Sequence, residues 1–162
     1  MGTDGCSIPT WAIPLPALAL GFARAATGQG LSPGLARAAT RLRQAIAAQP
    51  FMVAGSGRLD TVLMQHFGER LCCKVGAEGV YAAALPSLGW GLALKVDDGA
   101  TARGAEVVMA AVIEALVDLD EDERAFMATL SAPVMRNWNG LEVGALRPSA
   151  DLRTALAPLT SA

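Results

Sequence analysis

Histidine occurs once, at His66, and lysine only twice, at Lys74 and Lys95, in a chain of 162 residues. A single imidazole leaves one possible base for a Ser-His-Asp arrangement, and no G-x-S-x-G elbow accompanies it, so that hydrolytic machinery is set aside. Charged residues make up 17% of the chain, against about 25% in an average soluble domain. There is no basic block and the net charge is −2, so the positive footprint that holds a phosphate backbone is missing and nucleic acid is not an expected partner. Three cysteines, an odd number with no export signal, speak against a disulfide framework and for a reducing cytoplasm. The apolar stretch Ile8 to Phe22 contains Pro9, Pro14 and Pro16 and follows Asp4 rather than basic residues. It is expected to form core, not a signal or membrane segment.

Against these shortages stands an excess of apolar residues, 52% with a mean hydropathy of +0.37. The length suits a single unit over residues 1–162 with its own core. Its polar surface is scant, so the chain is expected either to form a homo-oligomer or to be part of a larger domain whose other half covers it.

The periodicity predicts helices first. Pro16 opens an Ala/Leu-rich helix that stops before Gly28 and Gly30. Ser32 then caps a second, with Pro33 as its first residue, Leu35, Ala39, Leu42 and Ile46 on its inner face and Arg37 and Arg41 in solvent. Residues 1–14 read as irregular, and Pro50 ends the second helix. A short helix is expected over Leu59 to His66. The period then changes to two: Arg70 to Val75, Gly79 to Leu85 and Gly89 to Val96 read as strands, the last two joined through Pro86-Ser87-Leu88-Gly89. A buried helix from about Arg103 to Asp118, another near Asp122 to Leu130 and an extended segment PVMRNWNGLEVGALRP complete the chain. The fold class is α+β, an antiparallel sheet packed with helices.

Strand alternation puts Cys72 and Lys74 on one face and Cys73 and Val75 on the other. Lys74 is then either an edge lysine reaching water or a site residue. Gly76 and Gly79 favour a site, because bare backbone lets a ligand approach. Glu78 can pair with Lys74 if the strand stays regular, as a structural ion pair or as part of a site. His66 reads as a helix-terminal histidine. Cys6, in D-G-C-S, reads on spacing alone as a small buried residue, and the cysteines with His66 offer no metal-binding spacing.

Taken together, DGCSIPTWAIPLPALALGFARAA, GRLDT, KVGAEGVYAAALP, LGWGLALKVDDGATARGAEV and RNWNGLEVG resemble the C-terminal half of the bacterial asparaginase II type of L-asparaginase. The resemblance implies a fold like that of the serine β-lactamases and glutaminases. It also implies hydrolysis of the L-asparagine side-chain amide by a serine in S-x-x-K, with a lysine in a K-T-G-like strand lining the site. Lys74 matches that lysine and is implied to be catalytic, with Gly76 and Glu78 at the substrate. Cys6 is implied to be a zinc ligand, with Asp4 supporting it. Two departures stand out. Val75 replaces the threonine of K-T-G, and no serine stands three residues before a lysine, since Leu71 and Leu92 hold those positions. The nucleophile is thus expected from a preceding N-terminal half, and the alternative is an inactive remnant or partner subunit.

Overall fold

The computed structural model describes residues 1–159, and the chain divides into two compact units. The first holds Met1–Lys74 and Ala82–Ala93, the second Val75–Tyr81 and the remainder from Leu94. Among the described residues no helix is long and apolar enough to cross a membrane.

In the first unit the N-terminal residues, expected to be irregular, form a small hairpin of β1 (Gly2–Thr3) and β2 (Pro9–Thr10). Helix α1 (Leu15–Thr27) begins after Pro14, with Pro16 in its first turn. It ends because Gly28 takes φ 76° and returns its N–H to Arg24 O at 2.7 Å, the left-handed stop that glycine adopts without strain. Helix α2 (Pro33–Ala48) starts as expected, Ser32 Oγ accepting the Leu35 N–H and Pro33 supplying the fixed φ. Pro50 does more than end α2, for it precedes a further short helix, α3 (Phe51–Ala54), and α4 (Leu59–Phe67) follows.

The apolar faces of α1 and α2 were expected inside, yet neither helix has a buried residue. Ile8, Trp11, Ile13, Leu35 and Leu42 are all exposed. The core of this unit lies instead under α4 and the sheet, in Leu59, Leu63, Met64, Phe67, Leu71, Cys73 and the run Ala82 to Leu85. Leu18 and Phe22 of α1 and Ala39 and Ile46 of α2 are half-buried, and the rest of each apolar stripe is exposed, so the periodicity is clear while no position is fully buried.

Strands β3 (Cys72–Val75), β4 (Val80–Leu85) and β5 (Trp90–Lys95) form one sheet in the order β3-β4-β5. The strand expected from Arg70 begins at Cys72, because Arg70 is the last residue of a 3-10 turn over Gly68–Arg70. The β4–β5 connection is the expected Pro86–Gly89 turn, with Leu88 N–H on Leu85 O at 3.1 Å and Gly89 at φ 68°. Gly91 of β5 permits a close approach within the first unit. A Cβ there would collide with the carbonyl oxygen of Ala19 and stand 2.6 Å from Ala23 N, so α1 lies directly on the strand.

In the second unit Thr101–Ala105 forms a π-helical turn that runs into α5 (Glu106–Leu116). Val107, Met109, Ala110, Ala111 and Ile113 of α5 are buried, as its apolar sequence requires. Helix α6 (Glu121–Ser131) packs on it and is fixed at its start by a capping box between Asp120 and Glu123. The expected extended tail is a second hairpin, β6 (Val134–Arg136) and β7 (Glu142–Ala145), turning at Asn137–Gly140. A short helix α7 (Ala150–Leu156) that the sequence reading missed follows, capped by Ser149. The α+β class stands, with antiparallel strands packed by helices.

Candidate functional site

The sequence lining the site begins at β3. Lys74 is exposed while Cys73 and Val75 on either side are buried, as alternation requires. Lys74, Cys72 and Cys73 form one side of an apolar cavity of about 480 Å³ in the first unit. α1 contributes Ala17, Leu18, Gly21 and Phe22 to its wall, and α2 contributes Ala39, Leu42, Arg43 and Ile46. Lys74, itself exposed, thus borders a mostly apolar hollow, the kind of concave surface on which a small molecule can pack.

The electrostatics of this hollow come from two residues not singled out in the sequence. Arg43 Nη1 is 2.9 Å from Glu69 Oε2 and 3.4 Å from the Glu69 carbonyl oxygen, which fixes the guanidinium against the 3-10 turn. Its Nε is buried without a hydrogen-bond acceptor among the described residues. Burial pushes the Cys72 thiol above its ordinary value, and the charge of Arg43 offsets part of that rise. The 26-residue separation of Arg43 from Glu69 leaves no local signal of the pair in the sequence.

Gly76 and Glu78 sit in the tight connection after β3, in the second unit. The space a side chain would take at Gly76 is filled by Val80, 3.2 Å away, and the Gly76 N–H is engaged by Val80 O at 2.8 Å. Gly79 is hemmed in likewise, by the Gly99 backbone and Val96 at 3.1 Å. These glycines therefore answer to the protein's own chain, rather than leaving the open wall that sequence reading attributed to them. The strand ends at Val75, and Glu78 takes φ 55°, so the alternation that was to carry Glu78 toward Lys74 does not continue to it. Nearby, Asp98 accepts from the Ala100 N–H and from Arg103 Nη2, both at 2.9 Å. The backbone N–H chiefly, with Arg103, holds its carboxyl below the usual range.

Cys6 and Asp4 are brought together at the tip of the first hairpin. The Cys6 thiol donates to Asp4 Oδ2 at 3.4 Å, and Gly5 N–H to Asp4 Oδ1 at 2.7 Å. Ser7, at φ 70°, completes the turn through its N–H to Asp4 O at 2.8 Å. Cys6 is exposed, not buried as spacing alone suggested. One thiol and one carboxylate fall short of the four ligands of a structural zinc, and no group of three or more His, Cys, Asp or Glu side chains is assembled among the described residues. These residues do not by themselves make a zinc site. His66 lies at the end of α4 with its ring edge-on to Phe67 at 4.9 Å, a helix-terminal position away from the cavity wall.

Lys74 borders the apolar hollow and Cys6 meets Asp4 at the N-terminal hairpin, in the two segments K-V-G-A-E-G and D-G-C-S. No curated protein matches the chain. A family model described as L-asparaginase II matches residues 1–148, most of the 162-residue sequence, and the chain belongs to that family.

Proposed function

We propose that this chain is the lysine-bearing part of a serine-dependent amidohydrolase that converts L-asparagine to L-aspartate and ammonia. The observation that carries the reading is Lys74, at the edge of the apolar cavity, within a sequence that the L-asparaginase II family matches almost throughout. A serine hydroxyl would add to the side-chain amide carbon and pass its proton to a nearby base. Collapse of the tetrahedral intermediate expels ammonia after protonation of the nitrogen, and water then frees aspartate from the ester. Lys74 would stabilise the developing oxyanion and the substrate carboxylate by charge, and shift protons near the nucleophile.

The nucleophile is the missing group, because no S-x-x-K occurs in these 162 residues. We place it on a complementing half, in the same polypeptide or another subunit. Cys6 would then supply one thiolate of a zinc site whose other ligands come from that half, with Asp4 orienting it. The three free cysteines suit a reducing cytoplasm.

The second reading is an inactive remnant, and Val75 in place of threonine favours it. Its weight is small, because Val75 is buried and faces away from the side of β3 that Lys74 presents. The test is a coupled assay for ammonia from L-asparagine. The purified chain alone should release none above the blank. Mixed with the S-x-x-K-bearing half of an L-asparaginase II relative it should release ammonia, and Lys74→Ala should remove at least 100-fold of that rate, about 2.7 kcal/mol of transition-state stabilisation. Ammonia release by the mixture that is indifferent to Lys74→Ala would overturn the assignment.

A further inference from the structure

We infer that the second unit carries a binding site of its own, a hollow between α5, α6 and α7 that takes a small zwitterion, an α-amino acid with an aliphatic side chain. Lys74 belongs to the first unit, so this site does not depend on the amidohydrolase reading.

The hollow measures about 560 Å³, within the range of small-molecule sites. Small residues make the room: Ala111 and Ala115 line it from α5, and Ala128 and Ala132 from α6, each pair one turn apart and so on one face of its helix. Pro148 and Leu156 close a third side. The 3-10 turn Ala157–Leu159 that follows α7 packs back on α5, which holds that side in place. A lining of alanine, proline and leucine suits an aliphatic group, which leaves water on entering it.

Three polar side chains line the same hollow, and the chain satisfies none of them. Ser131 is only 5% exposed, and its hydroxyl makes no hydrogen bond among the described residues. The hydroxyls of Thr40, Thr129 and Thr154 each donate to a carbonyl of their own helix, the usual outlet for a helical hydroxyl, and Ser131 does not. A hydroxyl buried in this way costs free energy that a ligand can return by bonding to it. Glu114 is half-buried on α5 and Arg153 is exposed on α7; neither side chain has an ion pair or hydrogen bond among the described residues. A carboxylate and a guanidinium at one hollow disfavour a pure anion or a pure cation and accept the two charges together. The ligand's carboxylate fits the Arg153 fork and the Ser131 hydroxyl, and its ammonium fits Glu114. Both charges on one small apolar body describe an aliphatic amino acid. The family match ends at residue 148, so Arg153 and Leu156 lie outside it, and the matched residues alone do not complete this hollow.

The experiment titrates L-leucine into the full 162-residue chain by calorimetry. Two controls each lack one charge: 4-methylpentanoate has no ammonium and 3-methylbutylamine no carboxylate. L-Leucine should bind saturably with a Kd of about 1 mM or tighter, and each control at least about tenfold more weakly. Glu114→Gln and Arg153→Gln remove charges that no contact within the described residues uses, and each should weaken L-leucine binding by about tenfold or more. Ser131→Ala should weaken it about threefold or more. Ala128→Leu fills the hollow from an exposed position and should abolish binding, with circular dichroism checking that the helices remain. No saturation by about 10 mM L-leucine would overturn the site. So would controls that bind as well as L-leucine, or a folded Ala128→Leu chain that binds like the wild type. Should Ala128→Leu lose its helical signal, Arg153→Gln decides in its place, because undiminished binding to that variant would mean that L-leucine sits elsewhere.

Discussion

Glycines in this chain do opposite things at Gly91 and Gly21, and the difference is measurable. At Gly91 a methyl group would meet the Ala19 and Ala23 backbone of α1, which cannot yield without lifting the helix off the strand. Gly91→Ala is expected to destabilise the fold by about 2 kcal/mol or more, the cost of overpacking against main chain, read from urea unfolding. At Gly21 the same change meets open space and improves helix propensity, so Gly21→Ala should stabilise the isolated chain by roughly 0.5–1 kcal/mol. Equal effects at the two sites would show that α1 does not rest on β5 as described. Cys72 gives a second residue-level expectation. Its thiol titrates above the ordinary value of about 8.5, because burial outweighs the pull of Arg43. A folded-state value above the unfolded one contributes stability below about pH 8.5 that is lost as pH rises from there through the folded value. Iodoacetamide should therefore modify exposed Cys6 first, and Cys72 should keep gaining reactivity at pH values where an ordinary thiol has levelled off. Simultaneous modification of the two at pH 8, followed by mass spectrometry of peptides, would contradict this.

Element by element, local chemistry was legible where a cap or turn residue decided the outcome. Ser32-Pro33, Gly28 and Pro86–Gly89 start, stop and turn the chain where their conformational preferences say they should. α6 adds a case that was present in the sequence and went unread: Asp120 and Glu123 have the spacing of a capping box and make both bonds, at 2.8 and 3.2 Å. Asp120→Ala should cost about 1 kcal/mol in urea unfolding and fray α6 first, seen as faster amide exchange at Glu123. No loss on substitution would mean that the tertiary packing of α6 makes the cap redundant. Burial was far less legible. The stripe Leu35, Ala39, Leu42 and Ile46 announces a face that needs a partner, but periodicity does not say whether the partner is in the same chain. The site was legible only in part for the same reason. Lys74 and Cys72 share a strand and alternate visibly, whereas Arg43 joins them through a fold-level approach of α2 to the 3-10 turn at Gly68–Arg70. The glycines around Glu78 looked like space for a ligand because sequence cannot show that Val80, Val96 and Gly99 already occupy it.

At the scale of the whole molecule the three tryptophans carry the consequence of all this exposed apolar surface. Trp11 is 70% exposed, Trp90 39% and Trp138 fully exposed, so none is enclosed by the chain itself. Exposed apolar side chains scattered singly are ordinary in proteins, but here they accompany two helices without a buried residue and a composition short of charge. The folded chain on its own should emit close to the wavelength of free tryptophan, shift little on unfolding in urea, and be quenched by iodide almost as well folded as unfolded, even while far-UV circular dichroism reports a cooperative transition. Addition of the complementing half of the proposed enzyme should move the emission to the blue and protect it from iodide, because Trp11 belongs to the unit whose helices α1 and α2 have no buried residue. A blue-shifted, protected emission from the isolated chain that reddens on dilution would mean that copies of the chain already cover one another. The same emission unchanged by dilution would mean that the tryptophans pack within the chain, and that the α1 and α2 faces are not the open wall described here.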